Sequence, residues 1–385
     1  MRGERVVTAA GILWQDTAMR MGVYLLMLLF VLSGCAKTSA EVAQDMWRDW
    51  QAMDELVQQD YPDAVPIILV HGWNGDEFTW PNPERLQALE KSLQRDIYFF
   101  TYRTGWIASR VPPLELLEEQ LERYLSGFKR VDIVAHSMGG VLVRQYLSHH
   151  AEHPMRRVVF LSTPHFGTNA ASILAELASV SAVGNVQAQE TQPGSNLLWH
   201  LNSMGGAELS DVEVLNAYAM EGSLLEGDAI VVPSSAWLPG QSNVAVAGDH
   251  HVLARSFDQF TFIVNFLRDG IKPESSPMPK RHDIWLRVLD ANGQPVRLTR
   301  ASLDRSASNK LKNMGIEVCC SEASSLMDEG RKTMLINDVQ PDERLLVRLR
   351  DGTPALSVSP QAAYASGQPV LLLEVQASAS DVGMP

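Results

Sequence analysis

The chain has 385 residues, 45% of them hydrophobic and 20% charged, the proportions of a globular protein with a sizeable core and room for two or three domains. A formal net charge of −13 argues against a nucleic-acid partner and against electrostatic attraction to anionic lipid. The sequence has no CxxC or HExxH pattern, no Lys/Arg-rich tract and no internal repeat, so neither a metal nor another cofactor is expected.

In chain order, the first feature is a targeting segment. Arg20 supplies a small positive region and Val23 to Leu32 an apolar run. That run is too short to cross a bilayer, which takes about 20 apolar residues, and it has the form of a secretory signal peptide. Leu32-Ser33-Gly34-Cys35 follows and resembles the lipobox of bacterial lipoproteins. The resemblance implies acylation of Cys35 and attachment to a membrane through lipid. With Ala36 and Lys37 rather than Asp after the cysteine, it also implies sorting to the outer membrane in a Gram-negative source. Residues 1–18 carry no signal features, which leaves Met19 or Met21 as the start. The remaining cysteines, Cys319 and Cys320, are adjacent and imply no disulfide framework.

After a linker or helix at 36–64, the run VPIILVHG (Val65 to Gly72) is continuously apolar, as a strand covered on both faces should be. DIYFFTYR (Asp96 to Arg103), VDIVAHS (Val131 to Ser137) and RRVVFLSTP (ending at Pro164) repeat the pattern. Between them Leu114, Leu117, Leu121, Leu125 and Phe128 are spaced as a helix, and Val141, Leu142, Tyr146 and Leu147 form the apolar face of another up to His149. Val212 to Ala219 and Val244 to Ala247 predict two more strands, and Phe257 to Leu267 a closing helix. Strands alternating with helices predict an α/β fold, a doubly wound and mostly parallel sheet, over residues 65–270. KPESSPMPK then marks a linker at 271–280. Beyond it, short alternating runs, with Asn292-Gly293 between two of them as a hairpin signal, predict a small all-β, sandwich-like domain over 281–378.

Chemistry in a parallel α/β sheet sits at the carboxyl ends of the strands. The stretch AHSMGG ends a strand on Ser137 and runs directly into a helix, with small Ala135 and Gly139 two residues to either side. That is the form of a nucleophile elbow, with Ala for the first Gly of GxSxG. Asn202-Ser203-Met204-Gly205-Gly206 imitates it, but Leu201 stands at the small position and no strand leads in, so Ser203 is rejected. A serine needs a base and the base an orienting acid, in the chain order Ser, Asp/Glu, His. Asp228, in EGDAIVVPSSA, follows a strand and precedes a Val-Val-Pro turn, and Glu226 is the weaker competitor. Only His250, His251 and His282 lie beyond Asp228, and His282 is past the linker, so the base is His250 or His251. Backbone donors for an oxyanion are expected from Met138, after the nucleophile, and from Trp73 in the loop after the first strand, with His71 structural.

Together VHGWNG, AHSMGG, STPHFGT and GDAIVVPSS resemble the α/β-hydrolase superfamily in its lipase and esterase branch, over about Val65 to Leu267. The resemblance implies that His165 is a structural or pocket residue and that the lid falls at about 170–210, where Ile173, Leu174, Leu177, Leu197, Leu198, Trp199 and Met204 would cover an acyl pocket or simply pack helices onto the sheet. It also bears on the base. Counting back from Phe257 selects His250 and puts Ile263, Phe266 and Leu267 on the closing-helix face; counting from Gln259 selects His251. His250 is the preferred choice.

Three functions fit these motifs. One is a serine carboxylester hydrolase acting on acyl esters, lipid included, through a Ser-Asp-His triad and an acyl-enzyme. The second is an acyltransferase or thioesterase on the same triad, and the third a surface lipoprotein that binds without catalysis. No nucleic acid is expected as a partner.

Overall fold

The computed structural model describes residues 60–105, 111–168, 185–192, 195–220 and 230–277, together with the backbone of six strands between 282 and 376. Cys35, Asp228, Glu226 and most of the stretch 36–64 lie outside the described residues.

The centre is a six-stranded sheet of β1 (Ile67–Val70), β2 (Ile97–Phe100), β3 (Val131–His136), β4 (Met155–Leu161), β5 (Glu213–Ala219) and β6 (Ser242–Val246). The order is β2-β1-β3-β4-β5-β6 and every pairing is parallel. Around it stand α1 (Pro83–Leu93), α2 (Leu114–Leu125), α3 (Met138–His149), α4 (Val186–Glu190), α5 (Asn196–Ser203), α6 (Pro233–Ala236), α7 (His250–Arg255) and α8 (Thr261–Asp269).

The continuous apolar runs of the strands have a direct structural cause. Alternate residues of a strand point to opposite faces, and here both faces are buried. Ile68, Val70, Ile133, Ala135, Val158, Phe160 and Val214 pack with Leu117 and Leu121 of α2, Val141 and Leu142 of α3 and Leu198 and Leu201 of α5. Their neighbours Ile67, Leu69, Val134, Val159, Leu161, Leu215 and Ala217 pack on the other face with Leu86 and Leu89 of α1, Leu253 of α7 and Ile263, Phe266 and Leu267 of α8. Of the stretch expected to hold a lid, α5 therefore packs against the sheet.

The sheet is laid down outward from β1 in both directions. The chain goes first to β2, then returns past β1 to β3 and on to β6. Such a reversal leaves a crevice at the carboxyl ends of the two strands that flank it, β1 and β3. His71-Gly72-Trp73 leave β1 at that point and His136-Ser137 leave β3. At the opposite, amino end of β3, buried Asp132 accepts from Arg156 (2.8 and 2.6 Å) and from Arg95 (2.6 Å).

Past residue 281, β7 (His282–Leu289) pairs with β9 (Thr333–Val339) and β12 (Val370–Gln376), while β10 (Arg344–Arg348) pairs with β8 (Ser302–Ser306) and β11 (Pro354–Val358). Asn292-Gly293 and the run after them, where a hairpin was expected, lie outside the described residues. Both edges of β7 are occupied by β9 and β12, and β8 joins the other sheet. The segment expected to be a free linker is tied down in part. Ser276 N–H donates to Asn243 O at 2.7 Å, and the Ser275 and Ser276 hydroxyls accept from Asn243 N–H (3.0 Å) and Ala245 N–H (2.9 Å) of β6.

Candidate active site

Ser137 is the N-cap of α3, at φ 54° and ψ −127°. A positive φ is costly for a residue with a Cβ and persists only where the surroundings enforce it. Here β3 runs into the sheet, α3 runs out, and the single residue between them absorbs the reversal. Gly139 shows why the turn needs small neighbours: a Cβ there would sit 2.3 Å from His71 O and 2.6 Å from Val70 O. At Gly72 a Cβ would lie 2.6 Å from Ser137 Cβ, so the loop after β1 passes directly against Ser137.

That loop is rigid. Gly75 N–H donates to Gly72 O (3.1 Å), and Asn74 takes a positive φ of 56° with its N–H on Thr104 Oγ1 (3.2 Å). His71 is locked as a neutral ring. Its Nδ1 lies 2.9 Å from Gly72 O, its Nε2 is 3.2 Å from the Tyr102 N–H, and the two rings stack at 4.2 Å. A nitrogen that meets an N–H must accept, so Nδ1 carries the proton. Burial pushes the His71 imidazole below its usual range. Trp73 thus follows a fixed histidine and glycine, and Met138, as the first residue of α3, offers one of the N–H groups that have no partner within a helix.

The structure separates the two adjacent histidines by a helix cap. Asp249 caps α7, its carboxylate accepting from His251 N–H and Val252 N–H, both at 2.9 Å. His250 is then the first residue of the helix and points inward, 3% exposed, with Nε2 2.9 Å from Ser137 Oγ. His251 is exposed. Ser203 stands at the exposed C-terminus of α5, its hydroxyl donating to His200 O.

His165 is fully buried and its Nε2 meets Asn216 Oδ1 at 3.1 Å, in a network that continues from Asn216 Nδ2 to Asn243 Oδ1 and Ala236 O. Burial drives its ring well below the usual histidine range, so it is a neutral structural group.

Two buried groups carry no local sequence signal. Arg144 of α3 is 2% exposed and donates to Glu208 Oε1 from Nε (2.9 Å) and Nη2 (2.7 Å), and to Leu201 O and Asn202 Oδ1, fastening the helix behind Ser137 to α5. His136 is 3% exposed, next to Ser137 in the chain, its ring 4.7 Å from that of His250.

Among the described residues no group of His, Cys, Asp and Glu could hold a metal ion, and no helix is long and apolar enough to cross a membrane.

Residues 114–245 match the family model of the alpha/beta hydrolase fold. Comparison with curated proteins finds no match. Among solved structures, phospholipase PlaB from Legionella pneumophila in complex with thio-NAD is similar with a TM-score of 0.57 at 12% identity, over 81% of this chain and 94% of that one. A second structure of the same phospholipase gives 0.55 at 12% identity, over the same shares. The mature form of the Bacillus licheniformis lipase BlEst2 is 20% identical over 55% of this chain and 95% of its own, with a TM-score of 0.43. The parallel sheet with its reversal at β1, the strand–serine–helix turn and the matched stretch 114–245 identify this chain as one with the α/β-hydrolase fold.

Proposed function

We propose that the chain is a serine carboxylester hydrolase with Ser137 as nucleophile, His250 as base and Asp228 as the acid that orients it. The observation that carries the reading is the 2.9 Å approach of His250 Nε2 to Ser137 Oγ on a strained elbow. His250 Nε2 takes the hydroxyl proton as Oγ attacks the ester carbonyl carbon. The oxyanion is held by the N–H groups of Met138 and Trp73. The proton then passes from His250 to the departing alcohol as the acyl-enzyme forms. Water, deprotonated by the same nitrogen, releases the acid and restores Ser137. Asp228 holds the other ring nitrogen and the tautomer that the cycle needs. Nothing in this sequence of steps calls on a cofactor.

The substrates are acyl esters, lipids among them, in keeping with the fold shared with a phospholipase. The hydrolase unit spans 65–270 and the β unit 281–378 is accessory to it. Acylated at Cys35 after removal of the signal peptide, the protein is anchored by lipid to a membrane outside the cytoplasm, in a Gram-negative source the outer membrane. A chromogenic ester series from short to long acyl chains tests the activity. The wild type hydrolyses at least part of the series and Ser137→Ala none of it above background; equal rates in the two would end the proposal.

A further inference from the structure

We infer that His136 is a positioning residue for the base, holding the backbone of His250 through its own ring so that the His250 imidazole meets Ser137. This rests on the proposed roles of Ser137 and His250 and adds a residue to them.

His136 is the last residue of β3 and Ser137 follows it, while His250 is the first residue of α7, 114 residues further along. The two segments are joined by a hydrogen bond between His136 Nε2 and the carbonyl oxygen of His250, at 3.0 Å. A carbonyl can only accept, so Nε2 carries the proton. Nδ1 is then the bare nitrogen. It is buried, has no hydrogen-bond partner among the described residues, and faces the position where a Cβ on Gly72 would stand, 3.2 Å away. The ring is 3% exposed, and the rings of His250 and His251 lie 4.7 and 6.2 Å from it.

These contacts keep His136 neutral. Burial, the first cause, and the neighbouring imidazoles push its pKa well below the usual value. A neutral His136 beside the base matters when His250 takes the serine proton, because a second positive charge 4.7 Å away would oppose that transfer. His136 thus sets the base geometrically and adds no charge. Its one N–H is spent on the His250 carbonyl, which leaves it no proton to give in the described geometry.

Two measurements on the full chain test this. In the first, long-range 1H–15N spectra of the histidine rings, assigned with the aid of His136→Leu, report the tautomer. His136 is expected to carry its proton on Nε2 and to stay neutral from pH 5 to pH 8. A proton on Nδ1, or titration within that range, overturns the inference whether or not the protein hydrolyses esters. In the second, His136→Leu removes the donor at similar volume and His136→Gln returns an N–H. The Leu variant is expected to lose on the order of 10- to 100-fold in kcat on a soluble ester, as a misplaced base does, with KM within twofold. Its reaction with a fluorophosphonate slows by the same factor, and the Gln variant recovers most of the loss. A folded Leu variant with kcat within twofold of wild type overturns the inference, and if that variant does not fold, the wild-type spectrum decides. A wild-type Ser137 inert to the fluorophosphonate overturns the roles of Ser137 and His250, and with them the catalytic meaning of the contact.

Discussion

The sharp turn at Ser137 and the arrival of a downstream histidine beside it were legible in the sequence for a chemical reason. A nucleophile on a sharp turn needs small residues around it and a base downstream, and both requirements leave marks in the text. The choice between His250 and His251 was less legible, because either can be matched to the spacing of the closing helix. The structure distinguishes them through Asp249, whose carboxylate starts α7 and so turns the next residue inward and the one after it outward. His136 and Arg144 left no trace, since their partners His250 and Glu208 lie 114 and 64 positions away. A pair of substitutions reads the choice of base directly. His250→Ala is expected to lower kcat on a saturating ester by at least about 10²-fold, the lower part of the range for a general base, while His251→Ala stays within about threefold. The reverse pattern would assign the base to His251.

At the scale of elements, the helices expected before and after β3 and after β6 are present, but the stretch read as lid or packing divides. In α5, Leu198 and Leu201 belong to the core. The shorter α4 is instead held by side chains on backbone: Asn185 Nδ2 donates to Gly105 O (2.7 Å), Gln187 Nε2 to Arg103 O and Pro112 O (2.9 Å each), and Glu190 Oε2 accepts from Leu114 N–H at the start of α2 (2.9 Å). Such polar anchoring has no hydrophobic period, which is why the sequence did not reveal it. Glu190 makes this anchor sensitive to pH. Burial, opposed by the Leu114 N–H and aided by Glu115, raises its pKa from 4.5 to about 7. Between those values the folded state binds more proton than the unfolded, so the net contribution of Glu190 to folding is most favourable at low pH and falls as pH rises from about 4.5 to about 7. Glu190→Gln keeps an acceptor without the charge. Its Tm is expected to exceed that of the wild type at pH 8 by the equivalent of about 1–2 kcal/mol, with the gap closing at pH 4.5. Parallel melting curves for the two proteins across that range would contradict this account of the anchor.

For the whole molecule, the sheet was legible because both of its faces are buried and its strands read as unbroken apolar runs. The boundary after it was less so, since the linker's role depends on hydrogen bonds rather than on composition. Ser275 and Ser276 cover the outer edge of β6, which would otherwise present unpaired backbone groups. A chain ending after Pro277 is therefore expected to fold and hydrolyse a small soluble ester, and one ending at Lys272 to be less stable by about 1–3 kcal/mol, at about 1 kcal/mol per lost hydrogen bond. Equal stability would show that the serines do not matter, and an insoluble longer chain that the β unit is part of the hydrolase core. At the other end of the chain, Cys35→Ser is expected to release the protein from the membrane fraction, because a multiply acylated cysteine anchors stably where a single chain does not. A Cys35→Ser protein that stays with the membrane at unchanged N-terminal mass would contradict the lipid anchor.

The central claim is that Ser137 is a nucleophile activated by His250. Its most direct measurement is the mass of the intact protein and of its peptides after treatment with a fluorophosphonate at neutral pH. One equivalent is expected to add, on the peptide that contains Ser137, with loss of ester hydrolysis in step. Ser137→Ala is expected to take up none, and Ser203→Ala to react as the wild type does. Labelling that persists in Ser137→Ala, or hydrolysis that survives full labelling of Ser137, would contradict the account.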